Sequence, residues 1–379
     1  MMLKRLLKTR QEVEDFVRGC TFYGTGGGGD YITGVELLMA QINKGLEVGW
    51  VDSLDIKDDE YTICPFLMGS IAPLTEDTVK EMKTFGLTEQ KYDYKDVLAL
   101  SVKALEKYAG KKAKALIPIE LGGGNAAACI AAAAENGIVA LDGDYTGRAI
   151  PEIQQTTPYI FEKSLLPITS CDGWGNTGII TGAINWQMAE RIGKLISAAG
   201  YAICGQAGFL MNGRDTKETI IHGTMTECYE LGKLIREERE AGHDPIEAAV
   251  KKLGGWVICK GTVTKKEWED RVGYYWGYHT FTGEGSFKGT TLKIWFKNEN
   301  HICWKNGEIY VTSPDMLIVV NAETGEPYTN NKIEEGQKVA VIALKARDVF
   351  RKPRGINVLG PRAFGYEVEY VPVENRIGK

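Results

Sequence analysis

The hydrophobic pattern of this chain changes period once, and that change limits its fold more than any other feature. From Gln11 to about Leu141, short apolar runs alternate with stretches in which apolar residues recur at helical spacing. LEVGWVDSLD, YTICPFLMGS, KALIPIEL and GIVALDGD read as strands, and YITGVELLMAQINKG, KDVLALSVKALEKYAG and NAAACIAAAAENG as helices. Strands that alternate with helices need right-handed crossovers, so this pattern predicts a largely parallel sheet. From Trp256 onward the period falls to two. WVICKGTVTKK, GTTLKIWFKN, HICWKNGEIYVT, DMLIVVNAETG, QKVAVIALK and YEVEYVPV are alternating runs broken by Gly, Asn-Gly and Pro, the signature of an antiparallel sheet or small barrel. In between, INWQMAERIGKLISAAG and TMTECYELGKLIREEREAG are amphipathic helices, and DPIEAAVKKLG opens with Asp244 as N-cap and Pro245 at the first helical position. The expectation is an α/β N-terminal domain with a largely parallel sheet over residues 1–165, followed by an α+β C-terminal region over 166–379. That region is expected to be mainly helical over 166–254 and a mostly antiparallel β domain over 255–379.

Composition narrows the function classes. With 379 residues, one hydrophobic core is not expected to hold the whole chain. A net charge of −5 with 25% charged and 44% apolar residues excludes a disordered chain. Basic residues alternate with Glu and Asp, which argues against a nucleic-acid binder and leaves a small-molecule substrate. No run approaches the roughly 18 apolar residues of a membrane span, and MMLKRLLKTRQEVEDF lacks the apolar core of a secretory signal, so the expected location is cytoplasmic. The 8 cysteines lie singly with no C-x-x-C pair, which disfavours a disulfide scaffold and a zinc ribbon. The extensive β surface suggests a homo-oligomer.

Glycine is the outlier, at 45 of 379 residues against roughly 7% in average usage, and much of the excess falls in loops at predicted element ends. Loop one, Gly24-Thr25-Gly26-Gly27-Gly28-Gly29-Asp30, precedes a helix. Gly26, Gly27, Gly28 and Gly29 let the backbone approach a ligand, with Asp30 at the helix start, although a tight turn would also use them. Its G-x-G-x-x-G string lacks the Lys of a phosphate-binding loop. Loop two, Pro118 to Asn125, sets Glu120 at the end of an apolar strand and Gly122, Gly123 and Asn125 before a helix. A carboxylate there needs a partner, a ligand or a raised pKa, whereas Asn125 either caps the helix or binds. Loop three, Asp142 to Glu152, holds the densest group of ionisable residues at any strand end: Asp142, Asp144, Arg148 and Glu152. It suits water activation or a divalent ion such as zinc as well as it suits an Asx turn with a surface ion pair. His222 and Cys20 are further metal candidates, but the four histidines show no metal-ligand spacing.

GCTFYGTGGGGD, LIPIELGGGNAAA, DGDYTGRAIPE, FKNENHICWKNGE, PDMLIVVNAETGEP and VLGPRAFGYEVEYVPV, in this order, resemble the S-methyl thiohydantoin desulfurase family from about residue 10 to 373. The resemblance implies an N-terminal α/β domain, a C-terminal part containing β structure, and a link to hydantoin and thiohydantoin breakdown. It also implies association with hydantoinase/oxoprolinase-type proteins. Carried over motif by motif, it points to Gly26 to Asp30, Glu120, Asn125, Asp142, Asp144, Arg148 and Glu152 as a shared site; His222 has no counterpart in the pattern.

The chemistry expected is hydrolysis of a cyclic amide or thioamide. Glu120, Asp142 or Asp144, or a bound metal, would activate water; loop amides would stabilise the developing anion; Arg148 would hold a substrate carboxylate. A nucleotide-binding enzyme or accessory subunit of an ATP-dependent hydantoinase, and a non-catalytic ligand-binding subunit, are the alternatives.

Overall fold

A computed structural model describes residues 3–69, 74–201, 203–271 and 273–377. The chain begins with strand β1 (Leu3–Leu7) and helices α1 (Arg10–Tyr23) and α2 (Tyr31–Asn43). Strands β2 (Val48–Val51) and β3 (Tyr61–Met68), helices α3 (Glu76–Thr84) and α4 (Tyr94–Ala109), β4 (Ala113–Leu116), α5 (Asn125–Glu135) and β5 (Val139–Leu141) follow. Local chemistry sets the helix starts: Thr9 and Glu12 close a capping box on α1, and the Asp30 carboxylate accepts from the Thr33 amide on α2.

The parallel sheet expected from the alternating pattern forms the centre of a mixed one. β2, β5, β4 and β3 run parallel in that spatial order, and their carboxyl ends face one edge. Antiparallel strands extend both sides: β1 beside β2, and β9 (Cys204–Asn212), β7 (Ile168–Cys171) and β8 (Thr177–Ile180) beyond β3. Helical spacing alone did not display β1 or these later strands. A two-residue strand, β6 (Gly143–Asp144), continues from β5 and pairs with β10 (Ile221–His222). The remaining helices of this part are α6 (Thr157–Ile160), α7 (Trp186–Ala199), α8 (Gly213–Thr219), α9 (Thr224–Glu240) and α10 (Pro245–Leu253), the last capped by Asp244 with Pro245 at its first position.

The period-two region forms a second, antiparallel sheet. Its strands are β11 (Trp256–Arg271), β12 (Tyr274–Gly283), β13 (Thr291–Lys297), β14 (Glu299–Lys305), β15 (Glu308–Thr312), β16 (Met316–Asn321) and β17 (Lys338–Leu344). Their order is β15-β14-β13-β12-β11-β17-β16, and the sheet curls until β14 approaches β16. A core of Ile258, Phe281, Ile294, Val311, Val319 and Val341 fills the inside of the curl. YEVEYVPV, expected as a strand, is irregular: instead of pairing with a neighbour, the Tyr370 hydroxyl and the Val373 amide donate to Asp315 Oδ2 at 2.9 and 2.8 Å.

Helix α1 lies between α9 and β16, so the two sheets share one continuous apolar core that includes Phe16, Ile130, Leu231 and Ile342. Ligands in open α/β sheets collect beyond the carboxyl ends of parallel strands. Here the second sheet walls off that edge.

Candidate functional site

Loop one connects α1 to α2, so its G-x-G-x-x-G string follows a helix where a dinucleotide fingerprint needs a strand. The glycines bring backbones together. A Cβ on Gly28, whose φ is +73°, would stand 2.6 Å from Gly122 Cα, and one on Gly29 would stand 2.8 Å from Gly124 Cα. Gly28 O accepts from the amides of Gly124 and Asn125, both at 3.1 Å, and the Gly27 amide donates to Gly24 O at 2.8 Å. Gly26 O receives the Asn330 amide at 2.7 Å, and Gly123 packs on Thr21. Asp30 is occupied as the α2 cap. The anion-cradle expectation is corrected for this reason: the amides at the start of α5 already hold a carbonyl, and a carboxylate already sits at the start of α2.

Beneath this junction lies a buried group of acids. Glu120 accepts from the Ile150 amide at 2.7 Å and from the Asn125 side-chain amide. Burial pushes its carboxyl up from 4.5 to about 7; the Asp144 charge adds to this, while the Ile150 and Asn125 bonds and Arg148 oppose it. Asp144 is raised to about 6 by burial, against the amides of Gly147 and Thr146, which donate to Oδ2 at 2.7 and 2.9 Å. Glu299, at the start of β14, is a third member. Its Oε1 lies where a Cβ on Gly27 would be, its Oε2 has no hydrogen-bond partner, and burial with the Glu120 charge holds it well above the carboxylate range. Glu120 and Glu299 share the Arg148 guanidinium, whereas Asp144 acts on Arg347, and burial holds all three acids above their ordinary values. Asn125, which donates to Glu120, is itself half-buried.

Arg148 is not placed to grip a substrate carboxylate. It is fully buried, and its donors go to protein oxygens: Ala149 O at 2.9 Å, Pro314 O and Asn300 O at 3.1 Å, Thr25 Oγ1 at 3.0 Å and Ser313 Oγ at 3.3 Å. Burial lowers it to about 10, so it stays charged. It ties loops one and three to the second sheet.

Asp142 also has a different occupation from water activation. Gly223 has no side chain to cap α9, and Asp142 supplies the cap, accepting from the Thr226 amide at 2.9 Å and its hydroxyl at 2.6 Å; Lys4 pairs with it at 2.9 Å. Asp142→Ala is expected to cost about 1–2 kcal/mol through loss of the cap, read as a lower urea midpoint, with turnover of the folded fraction unchanged. His222 lies on the surface between Ser53 Oγ at 2.7 Å and Lys217 O at 3.1 Å, and Cys20 is buried against Cys228. Among the described residues no three His, Cys, Asp or Glu side chains converge as metal ligands, so Asp142, Asp144, His222 and Cys20 do not form a zinc site.

Glu152 lies two residues beyond Ile150, whose amide donates to Glu120. It pairs with Lys297 and accepts from Gln154 Nε2, and it helps line a cleft of about 760 Å³. The cleft floor is Gln154, Glu190, Lys194 and Tyr274, and Gly69 at the carboxyl end of β3 borders it. Glu190 accepts from Tyr274 Oη at 2.6 Å and from the Ile153 amide at 2.8 Å. The ammoniums of Lys194 and Lys297 lie 3.3 and 4.2 Å from the Tyr274 ring centre. The structure thus brings Glu120, Asp144, Arg148, Asn125 and loops one and two together, places Glu152 on the cleft, and gives Asp142, His222 and Cys20 other partners. Sequence reasoning missed Glu299, Lys297, Glu190, Lys194 and Tyr274. The signal for the first two was present in FKNENHICWKNGE, where Lys297 and Glu299 flank a turn between apolar strands.

Two family models match the chain: S-Me-THD-like, N-terminal domain, over residues 11–182, and S-Me-THD-like, C-terminal domain, over residues 184–373. Among solved structures, the crystal structure of a protein from Chromobacterium violaceum superposes with a TM-score of 0.76 over 97% of this chain and 100% of that one. At 18% identity, the likeness is one of fold. No curated protein matches the chain.

Proposed function

Because the chain belongs to the S-Me-THD-like family, we propose that it is a hydrolase of S-methyl thiohydantoin-type rings with Glu120 as the proton-transferring group. The observation that supports this most is the Glu120 carboxyl, buried, held by Ile150 and Asn125, and raised to about 7. A general base works best with a pKa near the operating pH.

The reaction balances without a co-reactant other than water. Glu120 takes one proton from water as the oxygen adds to the ring carbon that carries sulfur. The C–S bond then breaks. Glu120 returns its proton to the departing sulfur, the second water proton moves to the ring nitrogen, and methanethiol and a ring carbonyl result. Asn125 orients Glu120, and Arg148 with Glu299 sets the field in which it titrates.

The test is incubation of the purified chain with a 5-substituted S-methyl-2-thiohydantoin, with released thiol and hydantoin measured separately. Glu120→Gln is expected to lower turnover at least about 100-fold. Absence of thiol from the wild-type chain, or equal turnover in the variant, removes the assignment.

A further inference from the structure

An edge strand presents unpaired N–H and C=O groups to any chain able to add a strand, so folds close their edges or guard them with charge. Most edges here are treated in that way. β1 carries Lys4 and Arg5. Beyond its pairing with β17, β11 runs on as KKEWEDR, whose charges guard the open side. On β15 the Arg376 guanidinium donates to Ile309 O at 2.8 Å, and on β16 the Tyr328 amide donates to Val319 O at 2.9 Å.

β8 is treated differently. It ends the first sheet, and among the described residues nothing pairs with its outer side. From Gly173 to Ala189 no residue is charged and none is proline. Gly178 turns toward α7, where a Cβ would stand 3.4 Å from Ile196 Cδ1. Ile179 turns to the opposite face, beside Thr169, whose hydroxyl donates to Ser101 O of α4 at 2.7 Å. There Ile179 is 39% exposed; Ile184, just ahead of α7, is 89% exposed, and Met188 on the first turn of α7 is 39% exposed. Apolar surface therefore lies open around an unguarded edge.

A second copy of the chain matches this edge. A twofold axis normal to the sheet sets β8 antiparallel to its own copy, so the same residues supply donors and acceptors on both sides and no like charges meet. The operation also keeps each face continuous. It brings the two Ile179 side chains together on the α4 face, and the start of α7 toward its copy on the other. β8 has only four residues, so the strand pair sets the register while Ile179, Ile184 and Met188 supply the apolar burial. A charged partner would find nothing here to pair with.

We propose that β8 is the docking edge for a second copy of this chain, paired antiparallel so that the two first sheets become one, with Ile179, Ile184 and Met188 covered at the seam. The proposal does not depend on the hydrolase reading.

Size-exclusion chromatography with light scattering of the full chain, over about a hundredfold range of concentration, tests it together with hydrogen exchange of the amides at 177–180. The wild type is expected at twice the chain mass, with exchange at 177–180 slowing as concentration rises. Ile179→Lys sets like charges opposite each other at the seam and raises the dissociation constant at least about 100-fold. Ile184→Asp raises it at least about tenfold. Both variants keep the wild-type far-ultraviolet circular dichroism, because the two positions are exposed. Trp268→Lys, at a 59% exposed position on the charged β11 edge, leaves the mass unchanged. A larger assembly that Ile179→Lys splits into halves also supports the β8 edge. A wild-type monomer at every concentration overturns the proposal, and so does an assembly of any size that withstands both β8 variants or that Trp268→Lys alone dissociates.

Discussion

Arg148→Met is expected to lower the stability of the folded chain by about 3–5 kcal/mol, a large share of the roughly 5–15 kcal/mol that domains possess. Methionine matches the arginine stem in length and removes every donor. Thr25, Asn300, Ser313 and Pro314 then lose the guanidinium that links them, and buried carbonyls are left without partners. The acids lose their counter-charge at the same time, since Arg148 favours the ionised forms of both Glu120 and Glu299. Guanidinium chloride unfolding followed by tryptophan fluorescence measures the loss. Arg148→Lys keeps the charge but not the planar fork, and falls between the two. A loss under about 1 kcal/mol for the methionine variant would show that the two sheets are held together without this residue.

The role of Arg148 marks a boundary of what the sequence discloses. An arginine among Asp142, Asp144 and Glu152 reads as an ion pair or a substrate clamp, because its nearest chain neighbours are acids. In the fold its acceptors are oxygens of Thr25, Asn300, Ser313 and Pro314, more than a hundred residues away on either side. Glu120 was more legible. A carboxylate closing an apolar strand must find donors wherever the chain goes, and the expected raised pKa follows from that burial alone. Glu299 obeys the same physics, but it sits at the start of a period-two strand where alternating polar residues are ordinary, so nothing local set it apart. The glycine run was legible as a place of close approach and misleading about what approaches. Backbone from loop two arrives at Gly28, where an anion was expected.

At the level of the fold, periodicity located the central parallel strands and the antiparallel sheet because each period reflects which face is buried. It did not locate β1, whose Lys4 and Arg5 give it the polar face of an edge strand, nor β7 to β9, which are interleaved with turns and helix α7. Edge and flanking strands are decided by neighbours far away in the chain. A single sequence carries little record of them.

Glu120→Gln is expected to stabilise the protein at alkaline pH while removing its activity. A carboxyl whose folded pKa lies above its unfolded value binds its proton more tightly in the fold. Its contribution is therefore intact below about pH 4.5 and is lost as pH rises through about 7. Above that point the ionised, buried Glu120 costs roughly 3 kcal/mol, from a rise of about 2.5 pKa units at 1.36 kcal/mol each. Glutamine is neutral at every pH and satisfies the same partners: its oxygen accepts from the Ile150 amide, and its NH₂ donates to Asn125 once that side-chain amide turns over. The denaturant midpoints of wild type and variant should coincide near pH 4 and separate steadily as pH rises past 7, the variant being the more stable. The wild-type rate rises over the same interval, because the ionised form is the base. Strain on the fold and competence for proton transfer are one property of one carboxylate, so an activity lost without a gain in alkaline stability would mean that Glu120 is ionised in the fold already, with its charge balanced by Arg148.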